Sequence, residues 1–161
     1  MAIIKPNNNT ISAITALPAA ISTGKVLQVV TATDTSERNT TSTSFVTASN
    51  TLSVNITPAS TSNKVFVQVC SAGLNNTDGS TSHYTVYRDS TDLGNSSEGL
   101  TALRCVSGAG DARFPLSMSA LDSPSSTSQL TYQVYFRAGG NQATLNTYNC
   151  KASITVFEIE G

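Results

Sequence analysis

The chain has 161 residues, enough for one domain with a sizeable core. Charged residues are only 12% and the formal net charge is -1, so nothing suggests a footprint for nucleic acid or an anionic membrane surface. Ser and Thr supply 46 residues, a bias that suits strands, turns and a hydroxyl-covered surface. Such low charge has two readings: the hydroxyls and Asn hydrate the surface unaided, or an assembly covers much of it.

Residues 1–23 differ from the rest. Pro6 and Asn7-Asn8-Asn9 break structure early, and Ile11, Ile14, Leu17 and Ile21 follow at gaps of three, three and four. That spacing would draw a helical stripe, but Pro18 lies inside it, and an extended arm is the better expectation. With Ile3 and Ile4, the arm carries more apolar side chains than it can bury within itself. The basic-then-apolar order of a signal peptide is absent from Met1 to Pro6, and no apolar run approaches the ~18 residues of a membrane span. The expectation is a product made in a cytoplasm.

From Gly24 the pattern is that of strands. Lys25–Val30 is the first, Asp34–Ser44 a polar loop or edge, and Phe45-Val46 a short strand. Leu52–Thr57 and Lys64–Cys70 alternate apolar and polar residues, with Val65, Val67 and Val69 on one face and Phe66 and Gln68 on the other. Asp78-Gly79 marks a turn, His83–Arg88 a strand, Asp89–Gly99 a loop and Leu100–Val106 another strand. Phe114–Leu121, Leu130–Arg137, Thr144–Tyr148 and Ala152–Ile159 complete the series, the last with Ile154, Val156 and the stem of Glu158 on one face. Eight to ten short strands without a helix predict an all-β antiparallel sandwich, jelly-roll-like, over residues 24–161.

One phrase occurs twice. Leu52–Thr57, a turn from Pro58 to Ser62 and Lys64–Val69 match Leu116–Leu121, a turn from Pro124 to Ser128 and Leu130–Phe136. Two Greek-key-like halves would account for the recurrence, as would chance reuse of Ser/Thr turns.

Catalytic patterns are lacking. His83 is the lone histidine; it sits beside Tyr84 without a GxSxG context and reads as a surface-strand residue. Asp78, Asp89, Asp92 and Glu98 lie in two loops, but not in the order of a calcium loop, and no cleft for a carboxylate pair is visible. Cys70, Cys105 and Cys150 form no metal-ligand spacing; Cys70 reads as a small buried hydrophobe, with one disulfide among the three as the alternative. Tyr84, Tyr87, Tyr132 and Tyr135 suit half-buried cross-strand pairs better than an exposed platform for sugars or bases. No enzyme, cofactor or metal is expected.

Gly24–Val30, Thr41–Val46, Leu52–Val69, Leu121–Arg137 and Ser153–Phe157 together resemble a group of tailed-bacteriophage virion proteins of aquatic and cyanobacterial phages. The resemblance covers about 24–161 and implies a β-sandwich in a fibre, tail tip or capsid decoration, with a tendency to form homotrimers. A short arm without a shaft fits a capsid decoration (cement) protein on the outer surface of the virion. The arm residues Ile3, Ile4, Ile11, Ile14, Leu17 and Ile21 would then bind the major capsid protein or another virion protein. The alternative is a fibre or tail-tip receptor-binding protein in which Asn75, Asn76, Asp78, Asp89, Asp92 and Glu98 contact a host glycan.

Overall fold

The computed structural model describes residues 24–75, 79–106 and 112–161, so the arm and its apolar residues lie outside the described part. The strands are β1 (Val26–Asp34), β2 (Arg38–Thr40), β3 (Val46–Thr47), β4 (Ser53–Ile56), β5 (Lys64–Asn75) and β6 (Thr81–Arg88). They continue with β7 (Thr91–Asp92), β8 (Thr101–Arg104), β9 (Ala112–Asp122), β10 (Leu130–Ala138), β11 (Ala143–Leu145) and β12 (Ala152–Ile159). Short neighbours share a lane, so the twelve strands occupy eight positions: β1 with β2, β3 with β4, β5, β6, β7 with β8, β9, β10, and β11 with β12. One sheet runs first, eighth, third, sixth position; the other runs second, seventh, fourth, fifth.

Every pairing between these strands is antiparallel. The first position pairs with the eighth, the second with the seventh, the third with the sixth and the fourth with the fifth. This is one long antiparallel ribbon rolled until its two halves face each other, the jelly-roll arrangement. The expected all-β sandwich is therefore the fold, and its topology is now explicit.

The repeated phrase acquires a different meaning from two successive halves. Its first copy is β4, the Pro58 turn and β5, and crosses from the second sheet to the first. Its second copy is β9, the Pro124 turn and β10, and crosses back. β4 pairs with β10 and β5 with β9, so the two copies lie antiparallel against each other along their whole length. Among the described residues Pro115 is the one proline within a strand, and β9 is a sheet-edge strand, where a missing N–H is tolerated.

Alternation fills the core. Val65, Val67, Val69, Leu116, Met118, Ile154 and Val156 come from the first sheet; Val54, Ile56, Tyr84, Val86, Leu130, Tyr132, Val134 and Phe136 come from the second. Tyr84 and Tyr132 are fully buried here rather than half-buried, and their hydroxyls donate to the Thr144 carbonyl (2.7 Å) and the Asp122 carboxylate (2.7 Å). Cys70 is not a core residue: the strand runs on to Asn75, and Cys70 shares the outer face with Phe66 and Gln68. All three cysteines are free, so the disulfide alternative fails. The strand expected over Thr144–Tyr148 stops at Leu145 and becomes a 3-10 turn, Thr147–Asn149, because Asn146, Tyr148 and Asn149 all have left-handed φ.

Three carboxylates fasten the places where the chain changes direction. Glu158 lies on the inner face of β12 at 1% exposure. It accepts the Ala59 N–H (2.7 Å), the Asn63 amide (2.5 Å) and the Gln28 amide (2.5 Å), gathering the Pro58 turn onto β1 and β12. Asp122 accepts two bonds from Arg88 Nη1 (2.8 and 2.7 Å) and a third from Tyr132, closing the Pro124 turn. Asp34 accepts the Ser36 N–H, Arg38 Nε and the Ser49 hydroxyl, joining the β1–β2 bend to the second sheet's loop. Burial alone would raise the pKa of Asp34 and of Glu158, but the donors outweigh it and hold both carboxyls below their ordinary values.

A carboxyl held low in the folded state stabilises it fully above its ordinary value, 4.5 for Glu158, and loses that contribution as the pH falls. Glu158→Ala strands three donors and is expected to cost roughly 2–3 kcal/mol in denaturant unfolding at neutral pH. Glu158→Gln is expected to flatten the fall in stability between about pH 5 and pH 3. Identical acid profiles for the Gln variant and the wild type would refute the assignment.

Candidate functional site

The loop from Asp89 to Leu100 is an excursion from the fifth position. It leaves β7, folds over the outer face of the second sheet and returns as β8 beside the same strand, β6. Its neck closes through mutual backbone bonds between Asn95 and Gly99 (3.0 and 2.6 Å). A Cβ on Gly94 would stand 2.4 Å from the Gly99 carbonyl carbon, and one on Gly99 2.5 Å from the Tyr84 carbonyl oxygen, so the neck has no room for larger residues. The Asn95 side chain accepts the Ser97 and Glu98 N–H groups (2.9 and 3.2 Å), which shapes the tip from within.

Most of the residues proposed to reach a receptor hold this loop and its neighbours together. Asp92 accepts the Thr85 hydroxyl (2.5 Å) and the Gly94 N–H (2.9 Å). Asp89 turns the β6–β7 hairpin with φ 50° and accepts the Thr131 N–H at 3.0 Å. Glu98 places Oε2 3.2 Å from His83 Nδ1, with its own side chain largely exposed. Asn75 is fully buried; its amide donates to the Ser80 and Leu103 carbonyls (2.9 and 3.4 Å). Asn76 and Asp78 lie outside the described residues. The acidic side chains brought to one edge of the second sheet are thus Asp89, Asp92 and Glu98.

His83 is not a surface residue. It is 4% exposed, roofed by the loop on an outer sheet face that sequence alternation alone assigned to solvent. Burial lowers its pKa and Arg137 adds to this, while Glu98 pulls the other way; the balance holds the imidazole below its ordinary value of 6.5. Beside it, Arg137 lies over the Phe45 ring (5.4 Å) and donates to the Ser97 carbonyl. Tyr87 and Tyr135 stack at 4.2 Å, with Phe45 against Tyr87 at 6.4 Å. This pair is the half-buried cross-strand contact expected from the sequence.

The first sheet presents a different outer surface. Val26, Leu27 and Val29 on β1 and Leu121 on β9 are exposed large apolar side chains. Near the far end of the same sheet, a shallow groove of about 540 Å³ is lined by Arg113, Phe114, Tyr148, Cys150 and Lys151, among others. Arg113 covers the Tyr148 ring at 4.5 Å. Neither feature was singled out from the sequence. Alternation divides a strand into two sets but does not say which outer positions line up across strands, and the only hint of the groove is Asn at 146 and 149, residues tolerant of left-handed backbone. Among the described residues no group of three or more His, Cys, Asp or Glu side chains is placed to hold a metal ion.

No family model matches the chain, and no curated protein matches it. Solved structures of the VP2 protein of infectious bursal disease virus are similar in part. The D431N mutant in derived T=1 particles is 13% identical, with a TM-score of 0.39, over 81% of this chain and 36% of VP2. The T13 particle is 11% identical, with a TM-score of 0.39, over 91% of this chain and 41% of that one. The chain thus spans well under half of these proteins, and at this TM-score the likeness carries no functional argument. The fold assignment rests on the strand order.

His83 is the sole histidine, so its ring signals in a proton NMR titration are unambiguous. The midpoint is expected below 6.5. Glu98→Gln should lower it further and Arg137→Gln should raise it. A folded state that prefers the neutral ring loses stability as the pH falls below about 6.5. A midpoint unmoved by both substitutions would remove the loop from contact with the ring.

Proposed function

We propose that this chain is a structural component of a virion, a capsid decoration (cement) protein held on the outer surface of the shell as a homotrimer. The observation that carries this reading is the division of labour between charge and surface. The most buried carboxylates are spent on crossings and bends of the chain, and the centre of one sheet's outer face is left without charge and with apolar side chains exposed. That is a body suited to packing against other protein surfaces. The sequence phrases that resemble those of phage virion proteins point the same way.

In this reading residues 1–23 attach the domain to the major capsid protein or another virion protein, with Ile3, Ile4, Ile11, Ile14, Leu17 and Ile21 as the apolar anchors. Each buried square ångström contributes about 25 cal/mol. Three arms on one trimer turn a weak single grip into a strong one. The protein is made in the host cytoplasm and is not an enzyme. A fibre or tail-tip protein that contacts a host glycan is the second reading. It is favoured by the braced 89–100 loop, whose Asp89 and Glu98 remain accessible at the sheet edge.

Copy number separates the two. Quantitative mass spectrometry of purified virions is expected to find hundreds of copies, comparable with the major capsid protein. A few to a few tens would mean a fibre or tail tip, and absence would end both readings. Deleting residues 1–23 is expected to leave a folded domain that no longer binds shells; undiminished binding would refute the role of the arm.

A further inference from the structure

The outer face of the first sheet can be read row by row from the strand registers. Val29, Phe157, Phe66 and Leu121 stand opposite one another across β1, β12, β5 and β9, forming a single apolar row from one sheet edge to the other. The Phe66 and Phe157 rings lie 6.0 Å apart in its middle, and Val29 and Leu121 at its ends are 54% and 59% exposed. Val26 and Leu27, at the β1 bulge, and Ile159 widen the row on one side. On the other side follow Thr31, Thr155, Gln68 and Ser119, then Thr33, Ser153, Cys70 and Ser117.

These fifteen positions hold no Asp, Glu, Lys, Arg or His, and Lys64 stands opposite Ile159 at their border. The charged groups sit at the margin: Lys64, donating to Ser123 at 3.0 Å, the Lys25–Glu160 pair at 3.4 Å, and Arg113. An apolar centre with a polar rim is the layout of a protein interface. Charge then narrows the partner. When copies of one face meet around a shared symmetry axis, any net charge at its centre meets its own kind and repels, whereas an uncharged centre carries no such penalty. A partner of a different kind recognised by its charge finds no handle here.

We infer that the outer face of the first sheet, centred on Val29, Phe157, Phe66 and Leu121, is the surface by which copies of this chain associate with one another. The inference rests on the self-assembly in the reading above and is independent of the arm and of the shell. The hydroxyl rows keep the face wet in a newly made single chain, and the apolar row supplies the attraction once two copies meet. Cys70, in the third row, becomes a reporter, because association covers it.

The test is the mass of the full chain in solution, by sedimentation velocity or light scattering at micromolar concentration. The wild type is expected at a multiple of 16.8 kDa, three-fold for the homotrimer. Val29→Glu with Leu121→Glu places two like charges on exposed ends of the row and is expected to return the mass of one chain, with unchanged circular dichroism and melting. Ser90→Glu with Thr91→Glu, on the other sheet's hairpin, is expected to leave the mass as in the wild type. In a Cys150→Ser background, Cys70 is expected to react slowly with a soluble disulfide reagent and at least ten-fold faster once the row carries the two glutamates. A wild type that runs as one chain, or a Val29/Leu121 double variant that keeps the wild-type mass and slow Cys70, overturns the inference. Association through this face by a protein absent from virions would uphold the interface while removing the virion reading.

Discussion

A chain that crosses between two sheets must strip backbone N–H groups of their ladder partners at the crossing, and in a sandwich this thin those groups lie close to the core. Here carboxylates satisfy such places. Glu158 takes the Ala59 N–H and two side-chain amides at one crossing. Asp122 is gripped by Arg88 and Tyr132 at the neighbouring one. Asp34 secures the bend of the first lane. Remove these and the alternating strands still have an apolar side, but the crossings lose the anchors that help to set how far along each other the two sheets lie.

The strand content was legible because alternation is a local property. Val65, Val67 and Val69 announce a buried face without knowledge of any neighbour, and the two Pro-Ser-Thr turns announce crossings. What was not legible depends on distant residues. His83 reads as exposed until a loop from the following segment roofs it. The partners of Glu158 come from β1 and from the Pro58 turn, about a hundred residues away in the second case, so its stem could be placed but its carboxylate could not. Cys70 reads as inward-facing only if the strand ends there, whereas five more residues continue the ladder. The candidate site suffered most: Asn75 and Asp92 have loop composition yet are consumed by the fold, and the apolar row exists only across strands.

The composition finds an explanation in the same terms. A jelly roll of this size has two outer faces to hydrate and few charged residues to do it. On the second sheet the problem is met by covering, with the 89–100 loop and Phe45 over the outer face. On the first it is met with Thr, Ser and Gln rows that stop at Phe66 and Phe157. The asymmetry between the sheets separates a face closed by its own chain from a face left open for contact.

The rolled ribbon also fixes an order of events during synthesis. Among the described residues β1 has one ladder partner, β12, which lies some 120 residues later and is itself wedged between β1 and β5. As the chain leaves the ribosome, Val26 to Val30 must therefore wait, unpaired, until the last strand has emerged. Contacts this distant make folding slow and leave the early strand open to wrong partners. Where several ribosomes translate one message, the nearest wrong partner for a waiting β1 is another copy of itself.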